Sequence, residues 1–287
     1  MGSTRIGFCL VLLASCAADP EVSETSLFVS DYRANAIVRY DTAGELIDVF
    51  AAGAEQRLDR PVNVKRGPDG LLYSVGFGRG DINRYDLGSG AMADTFYWDT
   101  RTLEEPVELE FRGEHLFVLG NDTKNLVEID RDGRFVRELG YPTMRGAQDF
   151  VIDGDFAYVA TESHPTLGSA IQVWNLTTGT LERHFAAYDE IAFASGLTLR
   201  DGVLLVSDFE RGTIVRFDLA TGRSLGALVE GTLLPVEIDI GPDGALYVLD
   251  LKGLHRYDLA TGAKLDQLIR VADGVLDRPL GFTFVVD

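Results

Sequence analysis

An all-β fold is predicted by three observations. A unit recurs six times along the 287 residues, and its anchoring polar residues, Asp41, Asp86, Asp130, Asn175, Asp218 and Asp258, follow one another at intervals of 40 to 45 residues. Each copy alternates apolar and polar side chains at the two-residue period of a strand, and tight-turn residues break the runs. No segment sustains a helical period with capping signals over ten or more residues, so βαβ folds are poorly supported. Six units of four short strands predict a six-bladed β-propeller, with four antiparallel strands in each blade.

The first residues stand outside the repeats. Arg5 supplies a positive start, residues 6–14 are a short apolar run, and Leu13-Ala14-Ser15-Cys16 resembles the lipobox of bacterial lipoprotein signal peptides. Nine apolar residues are too few to span a bilayer. Residues 1–15 are therefore expected to be a signal peptide, Cys16 the lipidated residue, and 16–25 a polar, Pro-containing tether. Residues 26–287 form the ring. Cys9 and Cys16 are the only cysteines, so the ring has no thiol for a disulfide or for catalysis.

Within the ring the clearest copy is 203–222, VLLVSDFERGTIVRFDLATG, two strands joined and followed by turns. Apolar strands are expected at 27–31, 71–75, 116–120, 156–161 and 245–250, and their partners end at the six anchoring residues. Turns such as Thr42-Ala43-Gly44, Gly88-Ser89-Gly90 and Thr177-Thr178-Gly179 lead into an outer strand. The remaining strand of each blade starts near Pro61, Pro106, Gln148, Ser195, Pro235 and Pro279. The chain opens on the second strand of a blade and closes on a first strand, so its C-terminal strand should complete blade one and leave no free edge at the seam.

The stretch 234–250, LPVEIDIGPDGALYVLD, resembles the repeat of the NHL and gluconolactonase-like six-bladed propellers, which runs Pro-x-Gly-apolar, Pro-Asp-Gly, Leu-Tyr-Val-x-Asp. The likeness covers about residues 26–287. It implies the fold but no single activity, because propellers of this group include lactonases, lyases, RNA binders and scaffolds.

Charge narrows the partners. With 45 acidic residues against 26 basic ones the net charge is −19, and phosphate binding by counterion release needs clustered Lys and Arg, so nucleic acid is not an expected partner. An anionic membrane surface would repel the chain, leaving the lipid on Cys16 as its membrane contact. The acidic surface suits a soluble, monomeric ring.

Aligned at the Gly of Pro-x-Gly, the inner strands present Asn63, Glu108, Asp149, Gly196, Glu237 and Gly281. Four of the six are carboxylates or a carboxamide. Converging on one channel mouth, such oxygens suit Ca²⁺ or another divalent cation, or they accept backbone hydrogen bonds. The resemblance implies ligands one position earlier, where this chain has Val62, Val107, Gln148, Ser195, Val236 and Leu280. The strand-end residues Asp31, Asp208 and Asp250 are expected to fix turns by accepting N–H groups. Loops of the same face carry Arg33, Arg79, Lys124, Arg211 and Lys252, a basic rim suited to an anionic ligand. His115, His164, His184 and His255 lack metal-ligand spacing, and His164, in the longest loop, is the one candidate general base.

Two functions follow as expectations. The first is a lipid-anchored propeller of the bacterial cell envelope, on the outer membrane in a Gram-negative host, that binds a protein, glycan or small molecule through its loop face. The second is a metal-dependent hydrolase or lyase acting at the channel mouth.

Overall fold

The computed structural model describes residues 25–161 and 170–286. They form six four-stranded antiparallel sheets, the blades of a propeller. Blade one joins β24 (Pro279–Val286), β1 (Thr25–Asp31), β2 (Ala36–Asp41) and β3 (Leu46–Ala52) in that order from the axis outward. Blades two to six each take four consecutive strands in chain order, beginning at Pro61, Pro106, Asp149, Ala194 and Glu237. Their inner strands are β4 (Pro61–Arg66), β8 (Pro106–Arg112), β12 (Asp149–Asp153), β16 (Ala194–Arg200) and β20 (Glu237–Ile240).

Closure is as expected from the termini. β24 pairs antiparallel with β1, Leu27 opposite Phe284 and Val29 opposite Phe282, so the two ends of the ring meet inside one sheet. Every inner strand thereby has a neighbour on both sides around the axis.

The core lies between blades. In β5 (Leu72–Gly76) all five residues are buried: Leu72 joins Phe28, Ile37 and Val64 toward blade one, whereas Tyr73 and Val75 join Leu109 and Val118 toward blade three. Alternate side chains thus serve opposite neighbours, and a strand covered on both faces reads as a continuous apolar run. Tyr247 and Leu249 likewise meet Leu27, Val29 and Phe282 across the closing seam.

The repeat period has a local cause. Each anchoring residue is the last of the third strand of its blade or the one directly after it, and its side-chain oxygen caps the next turn. Asp41 accepts the N–H groups of Ala43 and Glu45, Asp130 those of Asp132 and Arg134, Asn175 those of Thr177 and Thr178, and Asp218 and Asp258 those of Thr221 and Thr261. The glycine that follows sits at positive φ and touches the previous blade. A Cβ on Gly90 would strike the carbonyl of Phe50, on Gly133 that of Phe96, on Gly262 that of Leu228, and on Gly44 that of Leu268 across the seam. These turns set blade spacing as well as reversing the chain.

A comparison of two glycines tests this. Gly262→Ala and Gly226→Ala both place a side chain at positive φ, 71° and 84°, but only the first also meets backbone. Gly226→Ala is expected to cost roughly 1–2 kcal/mol from conformation alone. Gly262→Ala should cost about 1–3 kcal/mol more, through overpacking against blade five. Equal losses in urea unfolding would mean that the turn does not set the spacing.

Candidate functional site

The inner strands run along the channel, so residues two apart on one strand point into it, one above the other. Asn63 and Lys65 come from β4, Glu108 and Glu110 from β8, and Glu237 and Asp239 from β20, with Asp149 heading β12. The residues between them, Val64, Leu109, Phe150, Leu197, Ile238 and Phe282, are buried between blades. One alternation therefore separates a polar channel from an apolar core.

Asn63, Glu108 and Asp149 stand on the consecutive inner strands β4, β8 and β12, whereas Glu237 stands on β20, separated from them by β16 and β24; the first three are tightly held. The Asn63 amide donates to Glu108, and its oxygen accepts the Val64 N–H at 2.6 Å. Glu108 also accepts the Leu109 N–H at 3.0 Å. Asp149 accepts the N–H groups of Phe150 and, across the blade boundary, Leu197. Glu237 differs: among the described residues its carboxyl receives no hydrogen bond and no ion pair. Also among the described residues, no group of three His, Cys, Asp or Glu side chains is arranged to hold a metal ion.

Lys65 supplies the positive charge of this set. Its Nζ lies 3.3 Å from Glu108 and pairs with Glu110. Burial alone would lower the Lys65 pKa, but Glu110 and Glu108 outweigh it and hold the ammonium well above its ordinary value. Burial pushes Glu108 up to about 7, with Lys65 offsetting part of the shift and Glu110 adding to it. Burial and then Glu108 raise Asp149 well above the usual carboxylate range; burial, Asp149 and Glu108 do the same for Glu237. With so little cationic charge to balance them, all three carboxyls are held above their ordinary range, and Glu108 is the one pushed to about 7.

Above this layer the channel opens into a cavity of about 230 Å³. Its wall is the position one residue earlier on every inner strand, Val62, Val107, Gln148, Ser195, Val236 and Leu280, with Glu237 and Asn63 beneath and Phe193, Phe209 and Arg278 above. Ser195 is tied to the Pro235 carbonyl at 2.6 Å and to Ser207 at 2.7 Å. The ring is thus mainly aliphatic where the resemblance implies metal ligands.

Two sets of loops frame the cavity, and they are stitched together blade by blade. The N–H just past the second strand bonds a carbonyl just before the inner strand: Tyr32 to Arg278, Phe77 to Arg60, Asn121 to Glu105, Phe209 to Phe193, and Leu251 to Leu233. The strand-end aspartates reinforce this, as expected for turn-fixing groups. Asp31 accepts from Arg33, Ala34, Asp277 and Arg278, Asp208 from Ala192, Phe193 and Arg211, and Asp250 from Leu233 and Lys252. Arg60, Glu105 and Leu234 hold left-handed φ values of 57°, 48° and 55° immediately before the prolines that open inner strands. Residues preceding proline favour extended backbone, so the stitching overrides local preference at this face.

An aromatic crown results. The rings of Tyr32 and Phe77 are 5.8 Å apart, and the Arg60 guanidinium lies 5.8 Å from one and 5.4 Å from the other. Arg278 stacks over Tyr32 at 5.7 Å. Phe193 and Phe209, from one blade, pair at 5.8 Å at the cavity rim, and exposed Trp98 carries Arg57 at 5.7 Å.

No family model matches the chain, and no curated protein matches it. A chain in the crystal structure of the nidogen/laminin complex is similar to it in structure, with a TM-score of 0.74 over 91% of this chain and 98% of that one. Identity is 18%, so the likeness concerns the fold. The chain is a six-bladed β-propeller.

The other expected site residues are dispersed. Arg33, Arg79, Lys124, Arg211 and Lys252 all lie in loops between second and third strands, but most are engaged locally. Arg79 pairs with Asp81 at 3.4 Å, Arg211 with Asp208 at 3.4 Å, Arg33 with Asp277 at 3.8 Å, and Lys124 bonds the Asp122 carbonyl. His164 and Cys16 lie outside the described residues. Lys65, Arg60, Arg278 and the crown aromatics went unsignalled, although a register comparison at the residue after each second strand brings out Tyr32, Phe77, Phe209 and Leu251.

The channel charge makes a pH test available. Folding raises the Glu108 pKa from 4.5 to about 7, so the stability linked to its proton is fully present below about 4.5 and is lost as pH rises through 7. Glu108→Gln stays neutral throughout. From pH 5 to 8 it should gain on the parent by up to about 3 kcal/mol in paired urea melts. A difference that stays flat over that range would show Glu108 ionised at little cost.

Proposed function

We propose that this propeller is a binding module of the bacterial cell envelope, tethered through lipid on Cys16 and engaging a protein partner with its mouth face. The crown carries this reading. Aromatic and arginine side chains dominate the energetics of protein interfaces because they offer large, stiff contact area with polar edges, and here Phe193, Phe209 and Arg278 line the cavity while Tyr32, Phe77 and Arg60 pack in a row beside Arg278. The stitched loops hold them in place before a partner arrives, which lowers the entropy lost on binding. The nidogen/laminin complex provides a precedent for this fold within a protein assembly.

A metal-dependent hydrolase would draw on Asn63, Glu108, Asp149 and Glu237. Three of these already engage backbone N–H groups, Asn63 also donates to Glu108, and the ring above them is largely aliphatic. The binding reading therefore stands ahead of the lactonase-like one.

Anchoring and binding are tested separately. Cys16→Ala should move the protein from the membrane fraction to the soluble envelope fraction, since the polar tether offers no other apolar attachment. Retention in membranes at the parent level would reject lipidation. For binding, parent protein, an Arg60→Ala/Phe77→Ala variant and a Leu265→Ser variant on the exposed outer strand are used to capture proteins from envelope extracts. Loss of captured partner by about tenfold or more is expected for the crown variant alone. Equal capture by all three would place the interface elsewhere.

A further inference from the structure

We infer that the mouth cavity receives the side chain of a lysine from the partner, its methylenes against Val62, Val107, Val236 and Leu280 and its ammonium on Glu237. This rests on the mouth face being the binding surface, and it adds the chemistry that surface selects.

The wall and the floor ask for different things. Four of the six ring positions are aliphatic, so a polar group lodged at their level would lose its water without a partner. An unbranched hydrocarbon stem loses nothing there. At the floor Asn63, Glu108 and Asp149 have their oxygens engaged, whereas Glu237 opens into the cavity with no donor among the described residues. A partly desolvated carboxyl in that position favours an incoming cation. The Gln148 amide nitrogen already donates to the Gly146 carbonyl at 3.2 Å, which leaves its carbonyl oxygen as a second acceptor on the ring.

Depth and charge agree. Val236 precedes Glu237 by one residue, and Leu280 follows Arg278 by two, so floor and rim are about three residues of chain apart, at most roughly 10 Å. A ligand must therefore combine a long apolar stem with a compact charged end. Lysine has this form, whereas the five donors of a guanidinium would face aliphatic wall. A bare divalent cation needs several oxygens, and three of the four candidates are occupied. Arg278, whose guanidinium stacks on Tyr32, stays at the rim above the ring. The net charge of −19 steers basic partners toward the propeller.

The test uses two neutral-capped amino acids as probes, N-acetyl-lysine methylamide and N-acetyl-norleucine methylamide, with methyl NMR of the intact ring. The lysine probe should saturably shift methyl signals of Val107, Val236 and Leu280. The norleucine probe should bind about tenfold more weakly or worse, the worth of a hydrogen bond to a charged group. Glu237→Gln should remove that preference and leave norleucine binding unchanged. Val107→Phe, which fills the ring without touching the carboxyl, should block both probes. Equal affinity for the two probes, absence of saturable shifts at the ring, or a lysine preference that survives Glu237→Gln would each overturn the inference. The fate of the wider reading is separable. Partner capture lost with the crown variant but no lysine binding would sink this inference alone; lysine binding with capture unaffected by the crown variant would sink the interface and leave the cavity's selectivity standing.

Discussion

Six strands brought together around one axis must place every second side chain in a narrow channel and every other one between blades. The rest of the structure follows from that constraint. Positions such as Leu109, Phe150 and Ile238 face neighbouring sheets and are fully buried, while Glu108, Asp149 and Glu237, one residue away, share the channel. Carboxyls so crowded cannot all ionise without counter-charge. Lys65 answers for Glu108 and Glu110, and hydrogen bonds answer for Asp149. Glu237 is left open to whatever enters from the mouth.

The mouth face owes its shape to a second, independent device. Its two loop sets are joined in five blades by the same backbone hydrogen bond, and Asp31, Asp208 and Asp250 each clamp both sets. Blade two reaches a similar end differently: Gly76 stands where the aspartate would be, and the buried Asp81, from the next strand, holds Arg57 and Arg79. Aromatic side chains mounted on such clamped loops need little reordering on contact. A rigid platform around a charged floor is the common thread between fold and proposed binding.

Much of the fold was legible because its repeat is written in local chemistry. The six anchoring residues recur because each must cap a turn, and the glycines recur because each turn rests on the preceding blade. The four polar channel residues were equally legible, since alignment at one register position brings them out. Their roles were not. Whether Glu108 meets a cation or Asn63 depends on how neighbouring blades face each other, and Lys65 lies two residues deeper, beyond the aligned position. The crown was hidden for a related reason: Tyr32, Phe77 and the Phe193–Phe209 pair come from three different blades, and an aromatic in a loop carries no signal until the ring closes.

The shortage of positive charge in the channel underlies both the stability of the ring and the selectivity assigned to its mouth. Isotope-edited infrared spectroscopy of labelled carboxyl groups reads it directly. The expected result is a protonated-carboxyl band that persists at about pH 6, above the ordinary range of Asp and Glu, and that shrinks with Glu108→Gln, since burial pushes Glu108 up to about 7. Full ionisation of all channel carboxyls at that pH would contradict it, because a counter-charge other than Lys65 would then have to occupy the axis.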